Sequence, residues 1–291
     1  MSLHHPIKKL PITVLIGVKN EAQIIARCLA ALPWVDEIIV VDSHSTDATV
    51  EIATSYGAQV IQFDFNGYWP KKIGWAIANL SFKHKWIFML DADEVLPNCI
   101  YDELAAITQQ AQPTHLGYWI NRRFFFIGKW LEHAYYPNWV LRLFYHPFGQ
   151  FQQMTSAEQT TGDREALEPF IVQGSCGYLK TCIDHYAFPT IESFVDRHNR
   201  YSNWEAHVQV ENQAIQAACK AQGQMKWKWW LKAIFLHLPF RPTLRFLYVY
   251  IFQLGFLDGR EGYYFAKLHG FYEFLNVAKT YELKKKAKTG L

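Results

Sequence analysis

ITVLIGVKNEAQIIARCLAALPWVDEIIVVDSHSTDATVEIA, residues 12–53, changes its hydrophobic period at each step. Ile12–Val18 is a continuous apolar run rich in β-branched residues, the pattern of a strand covered on both faces. Ala22–Leu32 takes helical spacing, with Ile24, Ile25, Cys28, Leu29 and Leu32 apolar. Glu37–Val41 is a second buried strand. Ser45, Thr46 and Asp47 then offer N-cap chemistry for a helix that ends near Gly57. Further along, Ala58–Phe63 reads as a third strand, Lys71–Leu80 as a helix and Trp86–Leu90 (WIFML) as a fourth strand. Strands and helices alternating through short links predict an α/β, doubly wound, mostly parallel sheet with helices on both faces.

Ligands of such sheets lie beyond the C-terminal ends of the strands. The first strand ends at Val18 and runs into Lys19-Asn20-Glu21. The second runs into Asp42-Ser43-His44-Ser45-Thr46-Asp47, and the fourth into Asp91-Ala92-Asp93-Glu94. Acidic or amide groups therefore collect on one rim. Asp91 and Asp93, two apart after a buried strand, can both reach one cation, or a cation and a ribose. Oxygen ligands suit Mg²⁺ or Mn²⁺, which share their coordination with substrate phosphates. A diphosphate leaving group gains most from such an ion. Taken alone, D-x-D also fits a solvated turn. Asp42 can accept from a base or a ribose hydroxyl, or cap a turn. The chain has neither G-x-G-x-x-G after its first strand nor G-x-x-x-x-G-K-[ST], which disfavours the usual dinucleotide fold and excludes a P-loop enzyme.

Half of the 291 residues are hydrophobic, enough for a sizeable core, and the net charge of +3 gives no argument for nucleic acid. The five cysteines, Cys28, Cys99, Cys176, Cys182 and Cys219, are odd in number and form no C-x-x-C pair. They read as free thiols of a reducing compartment. The N-terminal apolar run reads as a strand rather than a signal peptide. No stretch reaches the roughly 18 uncharged apolar residues of a spanning helix.

The string ITVLIGVKNEAQIIARCLAAL, VDEIIVVDSHSTDATVEIA and WIFMLDADE resembles the family 2 inverting glycosyltransferases of the GT-A fold, in particular the lipopolysaccharide-core β-1,4-glucosyltransferase type. The likeness is close over the first hundred residues. It continues more loosely through NRRFFFIGKW, YPNWVLRLF and LKTCIDHY. It implies a hexosyltransferase, with glucose from a UDP-sugar as donor group and a lipid-linked or envelope saccharide as acceptor. It further implies that Val18, Asn20, Glu21, Asp42, Ser45 and Asp47 shape the nucleotide pocket, with Asp42 on the base. Asp91 would contact the ribose or the metal, and Asp93 would bind the Mn²⁺ or Mg²⁺ directly. Lys71 or Lys72 would lie near the phosphates, an exposed helix start being the alternative. His185, in D-H-Y, would face the site or the metal, or else be a packed histidine. Inversion needs a base for the acceptor hydroxyl proton. Glu158 matches the family's acid, although Ala157 stands where the family has His; Asp163 and His185 are the alternatives. Arg122, Arg123 and Arg142 would meet an anionic acceptor or pair with acids.

These readings divide the chain into a catalytic domain, residues 1–190, with a nucleotide-sugar half (1–112) and an acceptor half (113–190), and a helical region, 191–291. Aromatics make up 16% of the chain, with 11 Trp, and many sit in the last third. Ile191–Ala221 reads as a long helix. No Asp or Glu occurs between Asn212 and Leu257, whereas Met225–Lys232 (MKWKWWLK) sets three Trp among three Lys. Leu244–Leu257, as a helix, would be roughly 21 Å long, too short to span but able to lie in an interface. Phe265, Leu268, Tyr272 and Leu275 repeat at helical spacing. The expectation is peripheral or monotopic contact at the cytoplasmic face of the inner membrane. A helical hairpin packed on the domain, or a homo-oligomer interface, is the alternative. Nucleic acid is not an expected partner. A catalytically silent nucleotide-sugar-binding module and a nucleotidyltransferase are the rival functions.

Overall fold

The computed structural model describes residues 8–153, 162–163, 168–210, 238 and 240–289. Four parallel strands begin the main sheet: β1 (Leu10–Val18), β2 (Val35–Asp42), β3 (Gln59–Gln62) and β4 (Trp86–Asp91), in the spatial order β3-β2-β1-β4. β1 is covered on both faces, as its unbroken apolar run requires. Its pleat sends Ile12, Val14, Ile16 and Val18 into one core and Leu15 into another. The first core holds Ile25, Cys28 and Leu29 of α1 (Ile25–Ala30), Ala53 of α2 (Thr49–Ser55), and Ile100 and Leu104 of α4 (Ile100–Thr108). The second holds Ala76 and Ile77 of α3 (Lys72–Asn79) with Met89 and Phe144. Helices therefore lie on both faces.

Beyond β4 the sheet becomes mixed. β5 (Glu94–Val95), β6 (Gly117–Phe126), β7 (Lys129–Trp130), β8 (Trp139–Tyr145) and β11 (Cys176–Phe188) complete the order β3-β2-β1-β4-β8-β6-β11-β5, with β7 paired to β6. β8 runs antiparallel to both β4 and β6, while β6 and β11 are parallel. β9 (Gly149–Phe151) and β10 (Phe170–Val172) form a separate small ladder. The antiparallel β5–β11 pair sets His185 opposite Glu94.

The C-terminal part comprises α5 (Ile191–Val210), α6 (Arg241–Leu247) and α7 (Gly259–Thr289). α5 is described to Val210. The rest of the expected Ile191–Ala221 helix, and the MKWKWWLK stretch, lie outside the described residues. Leu244–Leu257 is not the single helix that its composition suggests. α6 passes into a π-turn at Tyr248–Phe252, Leu254 takes a left-handed φ of 58°, and a 3₁₀ turn spans Gly255–Asp258. The chain doubles back so closely that a Cβ on Gly262 would sit 2.0 Å from the Gly255 carbonyl oxygen. Asp258 fixes the turn. Its buried carboxylate accepts the backbone N–H groups of Glu132, His133 and Ala134 at 3.0, 3.1 and 2.7 Å, while its carbonyl accepts Lys129 Nζ at 2.7 Å. Three otherwise unpaired donors of the β7–β8 connection are thus satisfied by the residue that ends the acid-free stretch.

α7 carries two stripes. The inner one, Gly262, Phe265, Ala266, His269, Glu273, Asn276 and Thr280, is buried. Phe265 joins Phe124, Phe126, Phe188 and Phe194 in a third core cluster, and burial of its ring stabilises the docking by roughly 1.5–3 kcal/mol. The expected stripe of Phe265, Leu268 and Tyr272 therefore belongs largely to the packed side of the helix. The outer stripe, Tyr264, Lys267, Phe271, Phe274, Ala278 and Tyr281, is exposed. With Ile127 and Ile191 it borders an almost wholly apolar hollow of about 450 Å³. Phe240, Ile251 and Phe252 are exposed in and beside α6. Among the described residues no helix is long and apolar enough to cross a membrane.

Candidate active site

The loops after β1 and β2 are laced together. Asn20, with a left-handed φ of 55°, accepts Thr46 N–H at 2.8 Å through Oδ1, and its own N–H donates to Ser45 Oγ at 2.8 Å. Glu21 N–H donates to Thr49 Oγ1 at 2.8 Å, and Ala22 N–H to Asp47 Oδ2 at 3.1 Å. Asp47 also accepts the Thr49 N–H at 3.1 Å and the Thr49 hydroxyl at the start of α2, and that hydroxyl bond holds its carboxyl below the usual range. Asp42 is fully buried. One of its oxygens takes the Ser45 N–H at 2.9 Å and the other the Ser45 hydroxyl. The sequence-predicted nucleotide residues thus form one rim, in which Asp42 is engaged with Ser45.

Neither lysine at the start of α3 is exposed. Lys71 pairs with buried Glu168 at 2.5 Å, and Lys72 with Asp163 at 3.0 Å. Lys72 Nζ also donates to the Val18 carbonyl, which accepts Ser43 N–H at 3.2 Å. Gly17 makes room for this: a Cβ there would lie 2.9 Å from the Ile73 side chain and 3.0 Å from the Lys72 stem. Burial opposes ionisation of Asp163, but the charge of Lys72 beside it prevails and lowers its pKa. Glu158, the expected base, lies outside the described residues.

Asp91, Asp93 and His185 converge, with one ligand atom from each within 4.8 Å of the others. The convergence comes from topology: β4 delivers the two acids, β5 turns back on β11, and Tyr186 N–H donates to the Asp93 carbonyl at 2.9 Å. His185 Nε2 stands 3.4 Å from Asp93 Oδ1, and its buried Nδ1 has no hydrogen-bond partner. Two carboxylates and an imidazole with an unused nitrogen are a donor set fitted to a divalent ion such as Mn²⁺ or Mg²⁺. Burial alone would raise the Asp93 pKa. His185, Arg197 and Arg122 outweigh it and hold the carboxyl well below the usual range, so the group is ionised.

Arg142 donates to Asp91 and, at 2.6 Å, to the fully buried Glu94; Arg122 reaches Glu94 at 3.3 Å. Arg123 pairs with Asp184 at 2.6 Å. The three arginines of the matched stretches thus pair with acids. Glu94 also accepts the Asp91 N–H at 3.0 Å, steadying the D-x-D turn. This role is not marked by any spacing in the sequence. Nor is that of Arg197, which arrives from α5 at 3.7 Å from Asp93.

A cavity of about 560 Å³ begins at Gly17, Lys72, Asp91 and Asp93 and extends to Arg197, Tyr201, Arg245 and Tyr272. Its lining thus joins the parallel half of the sheet to the C-terminal helices. Asn20, Glu21, Asp42 and Asp47 are on the neighbouring rim and do not line it.

A sequence profile described as Glycosyl transferase family 2 matches residues 13–163, which carry both the laced loops and the D-x-D turn. The chain belongs to glycosyltransferase family 2. An uncharacterized glycosyltransferase of Rickettsia typhi, RT0209, is 30% identical over 281 residues, covering 95% of this chain and 89% of the relative. The lipopolysaccharide core biosynthesis glycosyltransferase LpsC of Rhizobium meliloti is 27% identical over 287 residues, covering 95% and 94%. Among solved structures, the mannosyltransferase PcManGT of Pyrobaculum calidifontis, in complex with GDP-Man and Mn²⁺, matches with a TM-score of 0.55 at 15% identity, over 94% of this chain and 88% of that one. That likeness shows the fold, the GT-A arrangement. As a family 2 glycosyltransferase the protein is an enzyme of glycosyl transfer.

Proposed function

We propose that this glycosyltransferase moves a hexose, with glucose the leading candidate, from a UDP-sugar to a lipid-linked saccharide of lipopolysaccharide or another envelope polysaccharide. The observation that carries the reading is the convergence of Asp91, Asp93 and His185 at the C-terminal edge of the sheet. Mn²⁺ or Mg²⁺, held by these residues, would neutralise the charge that develops on the departing diphosphate. Around it, Lys72 and the Val18 carbonyl close the floor beneath the phosphates, and the loops of Asn20, Glu21, Asp42, Ser45 and Asp47 frame the nucleotide. The acceptor hydroxyl attacks the anomeric carbon, the bond to the diphosphate breaks, and Glu158 takes the hydroxyl proton, giving inversion. Asp163 is tied to Lys72 and is the lesser candidate for that proton.

The resemblance to LpsC supports an envelope-saccharide acceptor. The outward aromatic stripe of α7, its apolar hollow and the exposed Phe240 and Phe252 support contact with the cytoplasmic face of the inner membrane.

Release of nucleoside diphosphate from a panel of nucleotide sugars, with Mn²⁺ or Mg²⁺ and a membrane lipid extract, tests the reading. Metal-dependent release from a UDP-hexose, abolished by Asp93→Ala and Glu158→Ala, is the expected result. Release confined to another nucleotide would replace the donor. Absence of release with every donor, despite metal-dependent nucleotide binding, would favour a binding module.

A further inference from the structure

The cavity has a second cationic end. Arg245, at the close of α6, lines it half-buried, and among the described residues no carboxylate lies within ion-pair distance of its guanidinium. Arg197 lines it from α5, and the one acid beside Arg197 among the described residues is Asp93, at 3.7 Å. Elsewhere in the site the cations are matched: Lys72 by Asp163, Arg142 by Asp91 and Glu94, and Arg122 by Glu94. Glu273, whose close partner is Arg241, is the acid whose field reaches Arg245, so Arg245 has no ion pair of its own and its fork of donors is open to an anionic ligand. His198 and His269 line the same end of the cavity. Burial keeps both largely neutral, reinforced at His198 by the charges of Arg197 and Arg245 and at His269 by that of Arg245. The buried Nδ1 of His269 has no hydrogen-bond partner, and His269 also lines the cavity. Tyr272 flanks the same wall, its ring 4.9 Å from that of His198. The geometry therefore presents guanidinium groups, a neutral imidazole and an aromatic face together. This combination suits a sugar ring bearing an anionic substituent.

We propose that this end of the cavity is an acceptor subsite and that the acceptor sugar carries a phosphate or a carboxylate, received by Arg245 with Arg197. The proposal rests on the glycosyltransferase reading and names the class of its acceptor. It also gives the C-terminal helices a share in the site, because one of the two cations comes from α6.

Calorimetric titration of the full chain, loaded with Mn²⁺ and UDP, tests it with four probes: glucose, glucose 6-phosphate, glucuronate and inorganic phosphate. Glucose 6-phosphate or glucuronate is expected to bind at least tenfold more tightly than glucose. Preference for the first names a phosphorylated acceptor, and preference for the second a sugar acid. Arg245→Gln should remove at least tenfold of that advantage and Arg245→Lys should keep most of it, with UDP affinity unchanged in both. Equal binding of neutral and anionic sugars beside normal UDP binding would overturn the subsite while leaving the transferase standing. So would an anion preference indifferent to Arg245→Gln in a protein that still binds UDP. Inorganic phosphate binding as well as glucose 6-phosphate would make this a free-anion site and overturn the acceptor assignment. Failure of the wild type to bind UDP or any other nucleoside diphosphate with Mn²⁺ would remove both readings.

Discussion

The guanidinium of Arg197 lies 3.7 Å from the carboxylate of Asp93. One residue belongs to the turn after a strand of the parallel half, the other to a helix more than a hundred residues later. Their approach makes α5 a wall of the site rather than an appendage to it, and α7 holds α5 there. Lys279 of α7 donates to the Asn199 carbonyl and side chain at 2.7 Å and to Ser202 Oγ at 2.8 Å.

Substitution of His185 should separate metal binding from folding. His185→Ala removes one of three converging donor groups while Asp91 and Asp93 remain. Turnover at limiting Mn²⁺ should fall by about 10²–10³. Part of it should return at high Mn²⁺, and the melting temperature should change little. Metal titrations of nucleoside diphosphate release check this; a loss unaffected by metal concentration would count against ligation.

Arg142→Ala should destabilise the protein. Glu94 is fully buried, and Arg142 is its nearest cation. Removing one member of a buried pair typically costs about 3–5 kcal/mol; Arg122, at 3.3 Å, should hold the loss toward the lower figure. Denaturant unfolding of wild type and variant measures the difference.

Asp258→Ala should loosen the C-terminal helices specifically. It leaves three backbone N–H groups without their acceptor, each loss costing about 1–3 kcal/mol where no water enters. Amide exchange in α7 should accelerate more than exchange in β1 or β4.

His198 makes stability depend on pH. Its pKa is lowered from 6.5 to about 4, chiefly by burial against Phe194 and Phe188. The unfolded chain therefore takes up the proton first. This stability is intact above about pH 6.5 and is lost as pH falls toward 4, by about 3 kcal/mol in all. Buried His269 acts in the same direction. His198→Phe should flatten the decline of unfolding free energy between pH 6.5 and 5, measured against wild type.

The outer stripe of α7 should govern membrane attachment. Phe271→Asp with Phe274→Asp alters exposed rings only, so the fold should persist. Flotation with phosphatidylglycerol vesicles should weaken by at least about tenfold, since each inserted aromatic contributes roughly 1.5–3 kcal/mol. Unchanged flotation would assign the stripe to another use.

The parallel half was legible in the chain itself. Ile12–Val18, Glu37–Val41 and Trp86–Leu90 are local apolar runs. Strand ends in such a sheet face one edge, so Asn20, Asp42, Asp91 and Asp93 could be placed there by counting along the sequence. Tertiary structure decided what lies across from them. His185 meets Asp93 only because β5 turns back on β11, and Glu94 gains its arginines only because β8 inserts between β4 and β6. Composition made Leu244–Leu257 look like one helix, but the close passage of Gly255 and Gly262 and the anchoring of Asp258 break it into turns. Periodicity also picked out one stripe of α7, whereas packing determined which stripe is covered and which is left outside. Local runs fix the elements because burial of a strand or helix face is a short-range pattern. The partners of a charged side chain depend on chain crossings a hundred residues apart, and no local pattern records them.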